Sequence, residues 1–79
     1  MEKNKMLKEI ENIFKNVFED ENLKIKENMN MSDIQGWDSL AQINIIEEIE
    51  KHFNIHFSIG EIVVLKTIND IIKLIETKL

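Results

Sequence analysis

The chain is short and acidic: its 79 residues contain ten Lys, no Arg and fifteen Asp plus Glu, which gives a formal charge of −5. This length predicts a single domain, 1–79, and the absence of Cys excludes disulfides, thiolate zinc sites and thiol catalysis. An acidic chain lacks the basic surface that nucleic acid requires. No apolar run is long enough to cross a membrane or to act as a secretory signal, so we expect a cytoplasmic protein without nucleic-acid or membrane partners.

The negative charge is concentrated in the middle of the chain. Residues 28–65 hold six acidic side chains and one Lys, whereas the segments on either side are nearly neutral. Two interpretations of this charge are open. It can be a solvated helix face that keeps a small protein in solution, or it can be a docking surface for basic partners.

The apolar pattern predicts an amphipathic first helix over residues 6–18, because its apolar side chains recur at the spacing of one helix face. They are Met6, Leu7, Ile10, Ile13, Phe14, Val17 and Phe18. Residues 20–37 lose this period and are predicted to form a long loop, which in a compact domain is unusual and often functional. Apolar side chains are expected to hold the loop against the core, namely Leu23, Ile25, Met29, Met31 and Ile34.

A second helix is predicted to begin at Asp38-Ser39 and to end at Asn54. Its apolar residues share one arc when the sequence is turned by about 100° per residue. They are Ile43, Ile45, Ile46, Ile49 and Phe53. Leu40 falls on the opposite, polar side of the helix, together with Glu47 and Glu48.

Two capping signals predict the remaining helices. Ser58-Ile59-Gly60-Glu61 matches the capping box S-x-x-E and predicts a short third helix through about Leu65. Thr67 resembles the N-cap of a last helix that has Asp70 in its first turn and an Ile-rich stripe behind it. The expected fold is therefore all-α: a small four-helix bundle with a long loop between helices 1 and 2 and a short third helix.

The start of the second helix is the segment that can support chemistry. Asp38 is a good N-cap, since its carboxylate can accept a backbone N–H near the positive end of the helix. Ser39 then takes the first helical position with its hydroxyl in solvent, and an anion attached to it lies beside unpaired N–H groups. The position suits a phosphate ester. The alternative is that Asp38-Ser39 only starts a helix and Gly36 only forms a turn.

The wider sequence around this segment resembles the acyl carrier protein family, including its peptidyl-carrier relatives. Gly36-Trp37-Asp38-Ser39-Leu40 follows a long loop and opens an acidic amphipathic helix near the middle of the chain. Residues 39–55 are similar to the family's second helix and its exit, and residues 58–70 to its third and fourth helices. The resemblance extends over nearly the whole chain.

This resemblance implies that Ser39 is the attachment site of 4′-phosphopantetheine, moved there from coenzyme A by a separate transferase. Asp38 and Leu40 match the residues that flank the serine in the family. The thiol of the attached arm would hold an acyl or aminoacyl group as a thioester, which explains how a chain without Cys can take part in thioester chemistry. Trp37 departs from the family, where a smaller residue is usual, and can serve either as a binding aromatic or as packing over the helix start.

The resemblance also implies partners. Enzymes that use such carriers dock on the second helix through basic patches, for which Glu47, Glu48 and Glu50 would supply charge and Leu40 an apolar contact. We therefore expect the protein to be a monomeric covalent carrier and not an enzyme. Its partners would be a phosphopantetheinyl transferase and the acyl-transferring, synthase or ligase enzymes of fatty-acid or specialised acyl biosynthesis. Two alternatives remain: an aminoacyl or peptidyl carrier for a ligase, and a helical interaction module without a prosthetic group.

The third helix carries several apolar residues whose role the sequence leaves open. They are Ile59, Ile62, Val63 and Val64. They can close over an acyl chain that lies against Ile43 and Ile46, or they can complete a rigid core. Gly60 lowers the intrinsic stability of this helix by roughly 1 kcal/mol relative to Ala, so we expect it to be the least stable of the four.

Two patterns suggest metal sites, and both lack required ligands. An EF-hand loop that begins at Asn28 needs Gly at its sixth position and Glu at its twelfth, where this chain has Asp33 and Ser39. His52 and His56 are one helical turn apart, but no third ligand is evident. We therefore predict no metal site, and surface or partly packed histidines.

Overall fold

The computed structural model of the protein describes residues 2–79, and the part of the chain it describes contains four α-helices and no β-strand. The helices are α1 (Lys3–Phe18), α2 (Ser39–Phe53), α3 (Ile59–Val63) and α4 (Ile68–Lys78). The predicted all-α fold is thus confirmed. The predicted bounds differ mainly in that α1 starts before Met6 and α3 ends before Leu65. None of the described helices is long and apolar enough to cross a membrane.

An Ile-rich core lies between α1, α2 and α4. Each of these helices turns its apolar stripe inward, and three residues of the α1–α2 connection and one near the end of the α2–α3 connection complete the cluster. The helical members are Met6, Ile10, Ile13, Phe14, Ile45, Ile46, Ile49, Ile68, Ile71, Ile72 and Ile75, and the others are Ile25, Ile34, Trp37 and Phe57. Burial of one such side chain contributes roughly 1.5–3 kcal/mol, so a chain without disulfides is stabilised by packing.

The inward face of α2 differs from the prediction at two positions. Ile43, which was expected on the apolar face, is 53% exposed, whereas Gln42 is buried. The reason is helical geometry: Gln42 lies midway between Ile45 and Ile46 around the helix, and Ile43 lies roughly 100° away from the middle of that face. Leu40 lies on the exposed side, as predicted, and is 69% exposed.

The connection between α1 and α2 is held to the core and to α4. Ile25 and Ile34 are buried, and the other apolar side chains that were predicted to anchor this loop are partly buried. The backbone carbonyls of Glu27 and Met29 accept the N–H groups of Asn69 (2.8 Å) and Ile68 (3.0 Å). The loop therefore supplies acceptors to the first turn of α4.

The same loop contains one element that was not predicted, a 3₁₀-helix at Met31–Asp33. Asn30 and Asp33 form a reciprocal capping box around it, in which Asn30 Oδ1 accepts the Ser32 N–H at 2.9 Å and Asp33 Oδ2 accepts the Asn30 N–H at 2.9 Å. Asn and Asp favour such local side-chain to backbone bonds, which compete with longer helices.

Helix α3 lies on the surface of the bundle. Its predicted capping box is present: Ser58 Oγ accepts the Glu61 N–H at 3.2 Å, and Glu61 Oε1 accepts the Ser58 N–H at 2.8 Å. No residue of α3 is buried, and Ile59 and Val63 are 80% and 70% exposed. Only Ile62 packs against the core. Of the two interpretations left open for the apolar residues of this segment, completion of a rigid core does not hold for Ile59, Val63 and Val64, which are exposed.

Candidate functional site

A glycine turn delivers the chain to the start of α2. Gly36 has φ = +88°, a left-handed conformation that a residue with a Cβ rarely adopts. A Cβ built there would lie 3.8 Å from the ring of Phe18, an ordinary contact, so backbone conformation and not space requires the glycine. The Gly36 carbonyl accepts the Asp38 N–H at 3.0 Å, which places Asp38 at the helix N-cap.

Asp38 caps α2 as predicted. Its Oδ1 accepts the Ala41 N–H at 2.9 Å and its backbone carbonyl accepts the Gln42 N–H at 2.9 Å. Ser39 is the first residue of the helix and is exposed. Within residues 2–79, the backbone N–H groups of Ser39 and Leu40 have no hydrogen-bond acceptor. The helix start therefore presents a free hydroxyl beside two free N–H donors.

Trp37 packs over the start of α2, which decides between its two predicted roles in favour of packing. Its ring is buried and meets the ring of Phe14 edge-on, with 5.1 Å between the centroids. Its Nε1–H donates to Gln42 Oε1 at 2.7 Å. Gln42 was not among the predicted site residues, although its place in the middle of an Ile-rich face was a sign of a buried amide.

The acidic side chains of α2 fall into two groups. Glu47 and Glu48 are exposed. Glu50 is half-buried, and its Oε2 accepts the Phe57 N–H at 2.9 Å and lies 3.2 Å from His56 Nδ1. Glu50 thus also holds the α2–α3 connection, whereas the other two carboxylates are available to solvent. They share the exposed side of α2 with the apolar Leu40.

The two histidines pair with different carboxylates. His52 Nε2 lies 3.0 Å from Glu9 Oε1 and links α2 to α1, while His56 lies beside Glu50. Both histidines are exposed. Across residues 2–79, no cluster of three or more His, Cys, Asp or Glu side chains could hold a metal ion.

The capping carboxylates of α3 and α4 have lowered pKa values. The Ser58 N–H and then the Lys78 ammonium, 3.0 Å from Glu61 Oε2, hold the pKa of Glu61 below its ordinary value. The N–H groups of Lys66 and then Thr67 lower the pKa of Asp70 in the same way. The lowered pKa values mean that the ionised carboxylates of Glu61 and Asp70 stabilise the starts of α3 and α4.

Comparison with known proteins shows which family the chain belongs to. The family model described as "Phosphopantetheine attachment site" matches residues 8–75. The chain is 44% identical over 55 residues to the acyl carrier protein homolog of Mycoplasmopsis pulmonis, which covers 70% of this chain and 74% of that protein. It also matches the solution NMR structure of a holo acyl carrier protein from Geobacter metallireducens with a TM-score of 0.85 and 34% identity, over 92% of this chain and 84% of that chain.

The fold and the exposed helix start are those of a carrier protein. The chain belongs to the acyl carrier protein family, whose members are carriers rather than catalysts and hold a covalent 4′-phosphopantetheine arm. Carriers of this kind are served by a phosphopantetheinyl transferase and by acyl-handling enzymes. The alternative of a helical interaction module without a prosthetic group is therefore excluded.

Proposed function

We propose that Ser39 is the residue to which the 4′-phosphopantetheine arm is attached, and that residues 1–79 act as one carrier domain. The observation that supports this most directly is the free, exposed hydroxyl of Ser39 at the start of α2. The other Ser and Thr hydroxyls each make a hydrogen bond within the described residues 2–79. They belong to Ser32, Ser58, Thr67 and Thr77. Ser39 is thus the hydroxyl that can react without a structural bond being broken.

The backbone around Ser39 fits a phosphodiester. The N–H groups of Ser39 and Leu40 are free, and the positive end of the α2 dipole stabilises a nearby anion. The start of α4 offers a contrast, because its first three N–H groups all have acceptors, two of them the carbonyls of Glu27 and Met29. Of these two helix starts, only that of α2 has free donors for a phosphate.

The reaction requires the Ser39 hydroxyl to act as the nucleophile. Its Oγ forms a bond to the phosphorus of coenzyme A that bears the pantetheine, and the bond from that phosphorus to the bridging pyrophosphate oxygen breaks. The nucleotide bisphosphate leaves, and the hydroxyl proton goes to a base of the transferase. When bound, the arm supplies a thiol that holds an acyl group as a thioester.

The exposed face of α2 supports docking of the enzymes that load and unload the carrier. Glu47 and Glu48 supply negative charge, and Leu40, 69% exposed, lies beside Ser39. Complementary charge steers association and raises the rate of encounter with a basic partner. We infer that this face, with Glu50 at its half-buried side, meets acyl-transferring enzymes of fatty-acid or specialised acyl biosynthesis.

Intact-mass measurement after incubation with coenzyme A and a broad-specificity transferase tests the attachment. The wild type should gain one phosphopantetheine group, and peptide mapping should place it on Ser39. Ser39→Ala should gain none, while the matched control Ser58→Ala should be modified like the wild type. Modification of Ser39→Ala, or an unmodified wild type with every transferase tried, would contradict the proposal.

A further inference from the structure

A buried hydrogen bond spans the segment that contains Ser39. Trp37 Nε1–H donates to Gln42 Oε1 at 2.7 Å, and Gln42 is the buried polar residue of the described chain. The two partners enclose residues 38–41 in sequence, with Ser39 between them. A buried amide that lost its partner would leave an unsatisfied polar group, so this bond holds the two ends of the segment together.

The pair is also fixed from outside. The Trp37 ring meets Phe14 of α1 edge-on at 5.1 Å, and Gln42 lies between the core residues Ile45 and Ile46 on the inner face of α2. The bond therefore joins the end of the loop to α2 and, through the ring, to α1. The Ser39 hydroxyl makes no hydrogen bond within residues 2–79 that would orient it, so the position of its Oγ follows from the backbone at residues 38–41.

We propose that Trp37 and Gln42 are positioning residues for phosphopantetheine transfer: their hydrogen bond sets the place of the Ser39 hydroxyl relative to the docked transferase. This inference rests on the proposed attachment at Ser39. Transfer between two bound reactants is sensitive to small misplacements, since an error of about 1 Å can lower a rate on the order of 100-fold. Of the docking face, the acidic residues Glu47 and Glu48 lie outside this segment and are left intact when the pair is changed.

The test is the kinetics of modification by a broad-specificity transferase. Gln42→Met keeps the length and helix propensity of the side chain and removes the acceptor. We expect its kcat to fall about tenfold with KM unchanged within about twofold, because docking persists and only orientation is lost. Gln42→Glu keeps an acceptor oxygen for the indole and should recover most of the kcat. The control Gln35→Met changes an exposed residue of the loop before α2, and its kcat and KM should match those of the wild type.

Fluorescence gives a second readout, independent of transfer. Trp37 is the single Trp of the chain, so the emission comes from this side chain and its surroundings, and it should shift in Gln42→Met and return toward the wild type in Gln42→Glu. If Gln42→Met fails to fold, Trp37→Phe removes the donor and keeps a buried ring, and the same fall in kcat is expected. Wild-type kcat in a folded Gln42→Met or Trp37→Phe protein would overturn the positioning role. A Gln42→Glu protein whose kcat is no higher than that of Gln42→Met would also overturn the positioning role.

These outcomes separate the positioning role from the attachment itself. If the wild type is modified at Ser39 and the Gln42 variants match its rate, only the positioning role fails. If the wild type is not modified at Ser39, the attachment proposal fails before the variants are compared.

Discussion

Asp38 and Ser39 are neighbours in the chain and have separate tasks at the start of α2. The Asp38 carboxylate accepts the Ala41 N–H at 2.9 Å, while the Ser39 side chain is exposed and makes no hydrogen bond within residues 2–79. Because the capping bond belongs to Asp38, the hydroxyl of Ser39 can be esterified without loss of the cap. The helix cap and the proposed attachment site are thus different side chains one residue apart.

Loss of the capping hydrogen bond at Asp38 should lower the free energy of unfolding more than loss of the Asp38 charge alone. Asp38→Ala removes the acceptor of the Ala41 N–H and should lower the free energy of unfolding by about 0.5–2 kcal/mol. Asp38→Asn keeps an oxygen that can cap and should lose only a fraction of this. Urea unfolding of both variants measures the difference, and equal losses would show that the charge and not the hydrogen bond matters.

Reversal of charge on α2 should slow docking. The double variant Glu47→Lys and Glu48→Lys should be modified more slowly at low salt, mainly through a lower association rate. Added salt should slow the wild type and narrow the difference, because exposed charges are screened over about 8–10 Å near physiological ionic strength.

A control with the same net charge separates a local effect from a global one. Glu21→Lys with Glu76→Lys changes two exposed acids that lie outside α2. It should be modified at close to the wild-type rate. If it is slowed as much as the α2 variant, overall charge controls association, and α2 is not the electrostatic docking face.

The two glycines of the chain should respond to alanine with opposite signs. Gly36→Ala places a Cβ at φ = +88° and should destabilise the fold by about 1–2 kcal/mol. Gly60 lies in α3 with its nearest neighbour, Ser58 Oγ, 4.0 Å from a built Cβ. Gly60→Ala should therefore stabilise by up to about 1 kcal/mol. Thermal unfolding of both variants checks this, and a stabilised Gly36→Ala protein would contradict the assigned turn.

Acid should weaken the fold through its capping carboxylates. Glu61 and Asp70 have pKa values below their ordinary values of 4.5 and 3.8 because the folded state donates hydrogen bonds to the ionised groups. The stability they contribute is complete above those ordinary values and is lost as the pH falls through the lower folded values. The urea midpoint should therefore decline on going from neutral pH to about pH 3.

A neutral variant should reduce this acid sensitivity. Glu61→Gln keeps an oxygen for the Ser58 N–H and removes the titrating group, so its urea midpoint should fall less steeply with acid than that of the wild type. Glu76→Gln changes an exposed position without a hydrogen bond in the described chain. The urea midpoint of this control should fall with acid as steeply as that of the wild type. A Glu61→Gln protein with the wild-type acid profile would show that other groups dominate.

Much of the fold was predictable because its signals are local. The cap at Asp38, the capping box from Ser58 to Glu61 and the N-cap at Thr67 depend on residues three positions apart, and the structure contains all three. The apolar stripe of α1 and the four Ile of the α4 stripe were correct for the same reason, whereas Leu79, which was expected to continue the α4 stripe, lies beyond the helix and is 58% exposed. The 3₁₀-helix at Met31–Asp33 was missed because its capping residues, Asn and Asp, are equally typical of an irregular loop.

The parts of the site that were missed depend on contacts between elements. Gln42 is polar and was assigned no role, yet the indole of Trp37 makes its burial favourable. Glu50 looked like a docking charge, yet it accepts the Phe57 N–H from the α2–α3 connection. In both cases a hydrogen-bonding residue outside the helix, Trp37 or Phe57, gives the side chain its structural role, and no spacing within α2 indicates that residue.

The bonds from the first turn of α4 to the loop before α2 join regions about forty positions apart in sequence. Ile68 and Asn69 donate to the carbonyls of Met29 and Glu27, and Asn30 forms an isolated bridge with Thr67. If α4 frays at its beginning, these carbonyls lose their donors and the approach to Ser39 loosens with it. We therefore expect the proposed attachment site and the last helix to open together, and native-state hydrogen exchange would register this as a single event.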